Sequence, residues 1–201
     1  MSHFYATRAS RLQHGLANAL TFGNLAAGIA ATLMKGDERS LQRSRLILLG
    51  AACDAFDGTL ARRSGHDSTC GARADGFSDM VTCGVAPAVL LARQGRHGDG
   101  SLVRLAPGIF LAGIAWRVVT MGFPTRTSHI FKGLPLTGAG LVIAFGAQAR
   151  LSPRAMSWLS VAAFVAMVSR LPFPSGEVMV RPRKLRANGY RVSPPAEVAQ
   201  M

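Results

Sequence analysis

The chain alternates between long apolar runs and short polar, mostly basic connections. Six runs with few charges lie near 17–34, 45–61, 76–92, 102–121, 134–149 and 155–173, each close to the ~20 residues that a helix needs to cross ~30 Å of hydrocarbon. They predict an all-α polytopic membrane protein, a bundle of six transmembrane helices. Ahead of the first run, residues 2–14 set Phe4, Tyr5 and Leu12 among Arg8, Arg11 and His14. That pattern predicts a short N-terminal amphipathic helix lying at the interface. Small residues at helical spacing, such as Gly23, Ala27, Gly138 and Ala139, let helix backbones approach closely where lipid supplies no hydrophobic drive. The first connection, Lys35 to Arg45, mixes Asp37 and Glu38 with four basic residues and reads as a solvated loop. A soluble helical bundle is the competing reading, and six long apolar runs joined by short loops argue against it.

Composition supports the pattern. Apolar residues make up 49% of the 201 and charged residues only 16%, which is poor in charge for a soluble protein. The length allows one membrane domain, 1–175, followed by a basic, proline-containing tail, 176–201. A net charge of +13 calls for anionic partners, here a lipid surface and an anionic substrate. The basic residues flank apolar runs and form no basic domain of their own, so nucleic acid is not expected. With six spans both termini share one side; if that side is the cytoplasm, 12 Lys and Arg lie inside and 9 outside, which favours that orientation. No cleavable signal peptide is evident. Cys53, Cys70 and Cys83 have no metal-ligand spacing and read as small residues at helix interfaces. The scattered histidines give no support to a histidine-bound metal.

Ten acidic residues occur in the chain, and four of them, Asp54, Asp57, Asp75 and Asp79, fall at the ends of the second and third apolar runs. An Asp at the centre of a membrane helix costs about 2.5–3.5 kcal/mol on insertion scales, less near its ends, so four together imply a compensating partner and a functional site. Asp54 and Asp57 are three residues apart and Asp75 and Asp79 four, which puts each pair on one helix face. A helical hairpin brings both pairs to one level. Four converging carboxylates select hard cations such as Mg²⁺, Mn²⁺ or Ca²⁺, and a metal with open positions implies a phosphate substrate. Gly58, Ala61 and Gly71 leave a stripe without bulk where a substrate could approach, and Arg62 offers a positive fork for phosphate. Intramembrane carboxylates also mark ion and proton pathways. A transporter would spread such groups over several helices near the midplane, whereas these gather at one hairpin mouth.

In order, Asp54, Asp57, Gly58, Ala61, Arg62, Gly71, Asp75 and Asp79 spell D-x2-D-G-x2-A-R-x8-G-x3-D-x3-D. This resembles the signature of the CDP-alcohol phosphatidyltransferase family at every fixed position and gap. The resemblance implies a six-helix membrane fold, a homodimer, and a site open to the cytoplasm where two divalent ions, Mg²⁺ or Mn²⁺, bridge the pyrophosphate of a CDP-linked lipid. It assigns metal binding to Asp54, Asp57, Asp75 and Asp79, with Asp79 also the base, and the nucleotide to Gly58, Ala61 and Gly71. Further blocks, TFGNLAAG at 21–28, VTCGVAPA at 81–88, FKGLP at 131–135 and MVSRLPFPS at 167–175, are similar to those of the small serine-using bacterial members. CDP-diacylglycerol and L-serine are then the expected substrates, with glycerol 3-phosphate, inositol phosphate or another small alcohol as the alternative acceptor. Thr82 and Cys83 stand where serine-using members carry Ser and Phe. Arg117, inside an apolar run, and Lys132 are the candidates for the acceptor carboxylate or the lipid phosphate; a structural, snorkelling Arg117 is the competing reading.

Overall fold

The structure is a computed structural model that describes residues 2–36, 39–64, 69–96, 98, 100–121, 130–169 and 172–174. Its helices are α1 (Ser2–Leu33), α2 (Ser40–Ser64), α3 (Thr69–Asp79), α4 (Ala86–Gly95), α5 (Ser101–Met121), α6 (Leu136–Gln148) and α7 (Pro153–Val168). A π-helical turn, Met80–Val85, joins α3 to α4 without a break. The described residues therefore form six helical rods, one for each apolar run. Within them, Arg73–Gly95 and Ser101–Thr120 are long and apolar enough to cross a membrane, while Leu136–Gln148 and Pro153–Val168 are apolar but shorter.

Several expectations are corrected. Residues 2–14 are helical, but they continue directly into the first apolar run as α1 and do not form a separate short helix. The first connection is shorter than expected because α2 begins at Ser40, and Arg43 is fully buried. Arg43 Nη2 donates to the carbonyls of Met34 at 2.6 Å and Gly36 at 2.8 Å, so a cation closes the C-terminal end of α1, where orphan carbonyls and the helix dipole favour it. Beside it, Gln148 Nε2 donates to Ser44 Oγ at 3.0 Å. The last rod stops at Val168 rather than near 173. Beyond it, β2 (Pro172–Pro174) pairs antiparallel with β1 (Ile130–Lys132), setting Phe131 opposite Phe173 and Lys132 opposite Pro172. The all-α expectation holds for the architecture, to which this short ladder is a local addition among the described residues. The tail at 176–201 lies outside the described residues.

Large apolar side chains such as Phe110, Ile47 and Leu90 lie in the core, but many others face outward. Ala31, Ala86, Ala139 and Ala144 are wholly buried, whereas Phe22, Leu49, Trp116, Val119, Phe145 and Trp158 are each more than half exposed. In water such large apolar side chains would be drawn inward. A bundle bathed in hydrocarbon gains nothing from burying them and gains close backbone contact from small residues inside. Of the small residues expected at interfaces, Ala27 and Ala139 are buried, Gly23 packs near Cys53 Sγ, and Gly138 meets only Leu134 and Pro135 just ahead of it.

The rod from α3 to α4 is the hub, touching α1, α2, α5 and α6. The π turn sits at its tightest crossings. A Cβ on Gly28 of α1 would lie 2.8 Å from Thr82 Cα, and one on Gly50 of α2 would lie 2.6 Å from Thr82 Cγ2. Thr82 thus fills a notch that only two glycines leave. On the other side Cys83 meets Gly140 of α6 backbone to backbone. Pro87 follows one turn later, and it supplies no N–H to the carbonyl of Cys83, four residues back, or of Thr82, five back. The change from π to α spacing falls where the chain itself lacks a donor. Just before α6, Gly133 has φ +83°, and a side chain there would also strike the carbonyls of Met167 and Ser169 that end α7.

Gly140→Ala should lower the thermal unfolding midpoint in detergent, because the new methyl overlaps main-chain atoms of Cys83 and overpacking typically costs about 1–3 kcal/mol. Gly108→Ala, whose methyl would enter open space, should leave the midpoint unchanged or raise it. Equal midpoints for the two variants would contradict the tight α6 crossing.

Candidate functional site

The C-terminal end of α2 and the N-terminal end of α3 lie at the same end of the bundle, since only four residues of sequence separate the two helices. Asp54 is half-buried on α2. Asp57, Gly58, Ala61 and Arg62 occupy the last turns of α2, whose backbone is helical; their side chains lie outside the described set. Gly71 opens α3 and is half-buried, and Asp75 and Asp79 follow on α3, each only 9% exposed. Two carboxylates one helical turn apart and nearly removed from solvent are unfavourable unless donors or cations meet them.

Donors reach one of them, Asp79, from two other helices. Asn24, in the middle of α1 and fully buried, gives its amide Nδ2 to Asp79 Oδ1 at 3.0 Å and to Ser78 Oγ at 3.1 Å. Thr137, in the first turn of α6, reaches Asp79 Oδ2 with its hydroxyl at a longer 3.4 Å. Ser78 Oγ donates to the main-chain carbonyl of Asp75 at 2.8 Å. Thr82 Oγ1 donates to the main-chain carbonyl of Asn24 at 2.9 Å. Asp79 is therefore gripped on both oxygens, from α1 and from α6, and the turn that follows it is fastened to α1.

None of Asn24, Ser78 and Thr137 was singled out as a site residue by sequence, and Thr82 stood out only as a departure from the serine-using pattern. For Asn24 a signal existed, because an amide inside an apolar run is costly and marks a function or a partner. Ser78 and Thr137 carry no such signal.

Arg117 lies on α5, 9% exposed, one turn past Ile114. Ile114 is the residue that a Cβ on Gly84 of the π turn would meet, so Arg117 sits at about the level of the start of that turn. Lys132 lies on β1, in backbone register with Pro172. The ladder brings together Ile130–Lys132 and Pro172–Pro174, about forty residues apart, at the end of the bundle where α6 begins and α7 ends.

The donor set is oxygen-only, which fits a hard divalent ion in kind. Among the described residues no three acidic, histidine or cysteine side chains gather as an ion site, and the side chain of Asp57 is outside them. The described part of the site, Asp75 and Asp79 on one face with Asp54 on the neighbouring helix, supplies carboxylates of the right chemistry without completing a coordination shell.

Comparison with known proteins agrees with the motif. The profile of a family described as CDP-alcohol phosphatidyltransferase matches residues 14–171, which takes in all of the rods but the first twelve residues of α1, and the whole eight-position signature. A CDP-diacylglycerol–serine O-phosphatidyltransferase of Methanocaldococcus jannaschii is 30% identical over 155 residues, covering 77% of this chain and 71% of its own. An archaetidylserine synthase of Methanothermobacter thermautotrophicus is 28% identical over 162 residues, covering 79% and 69%.

Thr82 and Cys83, where the sequence departs from the serine-using pattern, are both fully buried. Thr82 is wedged between α1 and α2, and Cys83 is pressed on α6. Both are packing positions, so the departure is absorbed between helices. Thr82→Val, which keeps the shape and deletes the hydroxyl, should lower stability by about 0.5–1.5 kcal/mol for the lost hydrogen bond. The order in which the protein uses different alcohol acceptors should not change; a reordered acceptor series in a CMP-release assay would return Thr82 to the substrate site.

Proposed function

The chain belongs to the CDP-alcohol phosphatidyltransferase family, and from that premise we propose that it transfers the phosphatidyl group of CDP-diacylglycerol to the hydroxyl of L-serine, releasing CMP and forming phosphatidylserine. The observation that carries this reading is the buried Asp79, the last position of the eight-residue signature, held on both oxygens by neutral donors from α1 and α6. Serine as the acceptor is supported by two relatives at about 30% identity whose names specify serine products or substrates.

In the proposed reaction the serine hydroxyl gives its proton to Asp79 as its oxygen attacks the lipid-linked phosphorus. The new O–P bond forms as the bond from that phosphorus to the CMP oxygen breaks, and CMP leaves with the electron pair. A positioned general base of this kind contributes typically 10²–10⁴-fold. Asp54, Asp57, Asp75 and Asp79 would hold two Mg²⁺ or Mn²⁺ ions, which when bound spread the negative charge of the pyrophosphate and of the leaving CMP. Gly58, Ala61 and Gly71 leave room for the cytidine nucleotide, and Arg62 pairs with phosphate. Arg117 and Lys132 bind the serine carboxylate or the lipid phosphate. Direct displacement is the simplest route, because no Ser, Cys and His arrangement accompanies the motif to support a covalent intermediate.

The same reading makes the protein a multi-pass component of the cytoplasmic membrane, with all six rods spanning and residues 1–175 as the catalytic membrane domain. The site faces the cytoplasm, and the basic tail at 176–201 lies on the anionic inner surface. A homodimer is the proposed assembly. The exposed large side chains on every rod support a lipid-facing surface, and the net charge of +13 supports an anionic partner.

The test is CMP release from CDP-diacylglycerol by purified protein, with each acceptor supplied separately. Serine should support release, chelation of divalent ions should abolish it, and Asp79→Asn should reduce it by at least ~100-fold. Release with glycerol 3-phosphate or inositol phosphate alone would replace serine with a phosphorylated acceptor. Arg117→Met should raise KM for serine while leaving KM for CDP-diacylglycerol little changed; the reverse split would assign Arg117 to the lipid phosphate.

A further inference from the structure

We infer that Asn24 is a positioning residue for Asp79, fixing the direction of the carboxylate without touching substrate. The inference rests on the proposed role of Asp79 as base and adds to it a residue outside the family signature. Asn24 is 0% exposed. Its carboxamide oxygen faces Gly50, where a Cβ would lie 2.8 Å from Asn24 Oδ1, so no substrate atom has room to reach it. Whatever Asn24 does for the reaction it does through a neighbour.

The neighbours are specified. A carboxamide nitrogen carries two hydrogens, and both are used, one on Asp79 Oδ1 and one on Ser78 Oγ. The carboxamide oxygen is buried with no hydrogen-bond partner, a cost of about 1–3 kcal/mol for an unsatisfied polar atom. Turning the amide over would set that oxygen against the carboxylate oxygen of Asp79, and it could accept from Ser78 only at the expense of the bond Ser78 gives to the Asp75 carbonyl. The structure thus accepts an orphan acceptor in order to present a donor to Asp79. The main chain is held as well, since Thr82 Oγ1 bonds the Asn24 carbonyl.

Asn24 therefore bridges the point where the central rod changes from α to π geometry. Its side chain grips the last residue of α3 and its carbonyl is gripped from the π turn. With Thr137 approaching the other oxygen from α6, the carboxylate is held between two helices. A general base gains from such a hold because a small misplacement of a reacting group costs rate much more than it costs binding.

The experiment measures kcat and KM per folded enzyme for Asn24→Ala, with a thermal-unfolding cycle on Asn24→Ala, Asp79→Asn and the double variant. We expect kcat to fall ~10- to 100-fold, in line with misplacement of a catalytic group, with KM for CDP-diacylglycerol within about twofold. The two substitutions should also be non-additive in the unfolding midpoint, as residues in direct contact are. Gly140→Ala is the control, since it disturbs the packing of the π turn on α6 without removing a hydrogen bond to Asp79 or to Asn24. If it lowers kcat as much as Asn24→Ala does, or if the midpoints add, Asn24 is only a packing residue and the inference fails. Should Asn24→Ala not fold, Asn24→Ser, which keeps one donor, carries the same comparison and should lose less activity than it would by losing both. The underlying reading is judged separately: activity retained in Asp79→Asn sinks the base assignment, whereas an inactive Asp79→Asn beside a fully active, folded Asn24→Ala sinks the positioning role alone.

Discussion

The structure depends on one constraint: polar groups carried into an apolar bundle must find their partners inside it. Water is absent to take up a stray donor, and an unmatched group costs several times what a matched one returns. The hydrogen bonds from Asn24 and Thr137 to Asp79 meet that constraint. They draw α1 and α6 onto the central rod, and helices that elsewhere meet through alanine and glycine are here registered by charge. At the other end, Arg43 binding the carbonyls that end α1 does the same work with the opposite sign. The bundle is thus pinned near both ends by buried polar groups and filled between them by apolar side chains, alanines beside Phe110, Ile47, Leu90 and Ile143.

The π turn shows how the site and the packing share one stretch of chain. It begins at the residue after Asp79, and its buried members, Thr82, Cys83 and Gly84, make the closest approaches to three other helices. A wider turn at that point rotates the residues after it relative to those before it. The face of α3 that carries Asp75 and Asp79 is thereby set independently of the face of α4 that packs on α5. One rod can then present carboxylates at one end and a smooth apolar surface at the other.

Much of this was legible in the sequence. Six apolar runs became six rods, and the four aspartates stood out because their cost in a membrane demanded a reason. The arguments failed where they used periodicity alone. A constant 3.6-residue period cannot show the extra residue in the π turn, and a mixed-charge stretch near Arg43 looks the same whether solvated or buried. The amphipathic start of α1 reads as separate because nothing in its residues says that the helix continues. The pairing of β1 with β2 depends on contacts across forty residues, which no local pattern records. Asn24 was within reach: the reasoning that singled out the aspartates applies equally to an amide inside the first apolar run.

The β1–β2 ladder bears on the depth of the bundle in a bilayer. α6 has 13 residues, so it is about 20 Å long, well short of the ~30 Å hydrocarbon layer. In the six-span arrangement proposed above, the chain on either side of α6 and α7 is then partly submerged, where an unpaired peptide group is hard to tolerate. Antiparallel pairing of Ile130–Lys132 with Pro172–Pro174 gives those submerged peptides each other as partners. Two of the three residues on the second strand are proline and bring no N–H to satisfy. In that arrangement the α6–α7 end is lengthened by paired backbone in place of further helix.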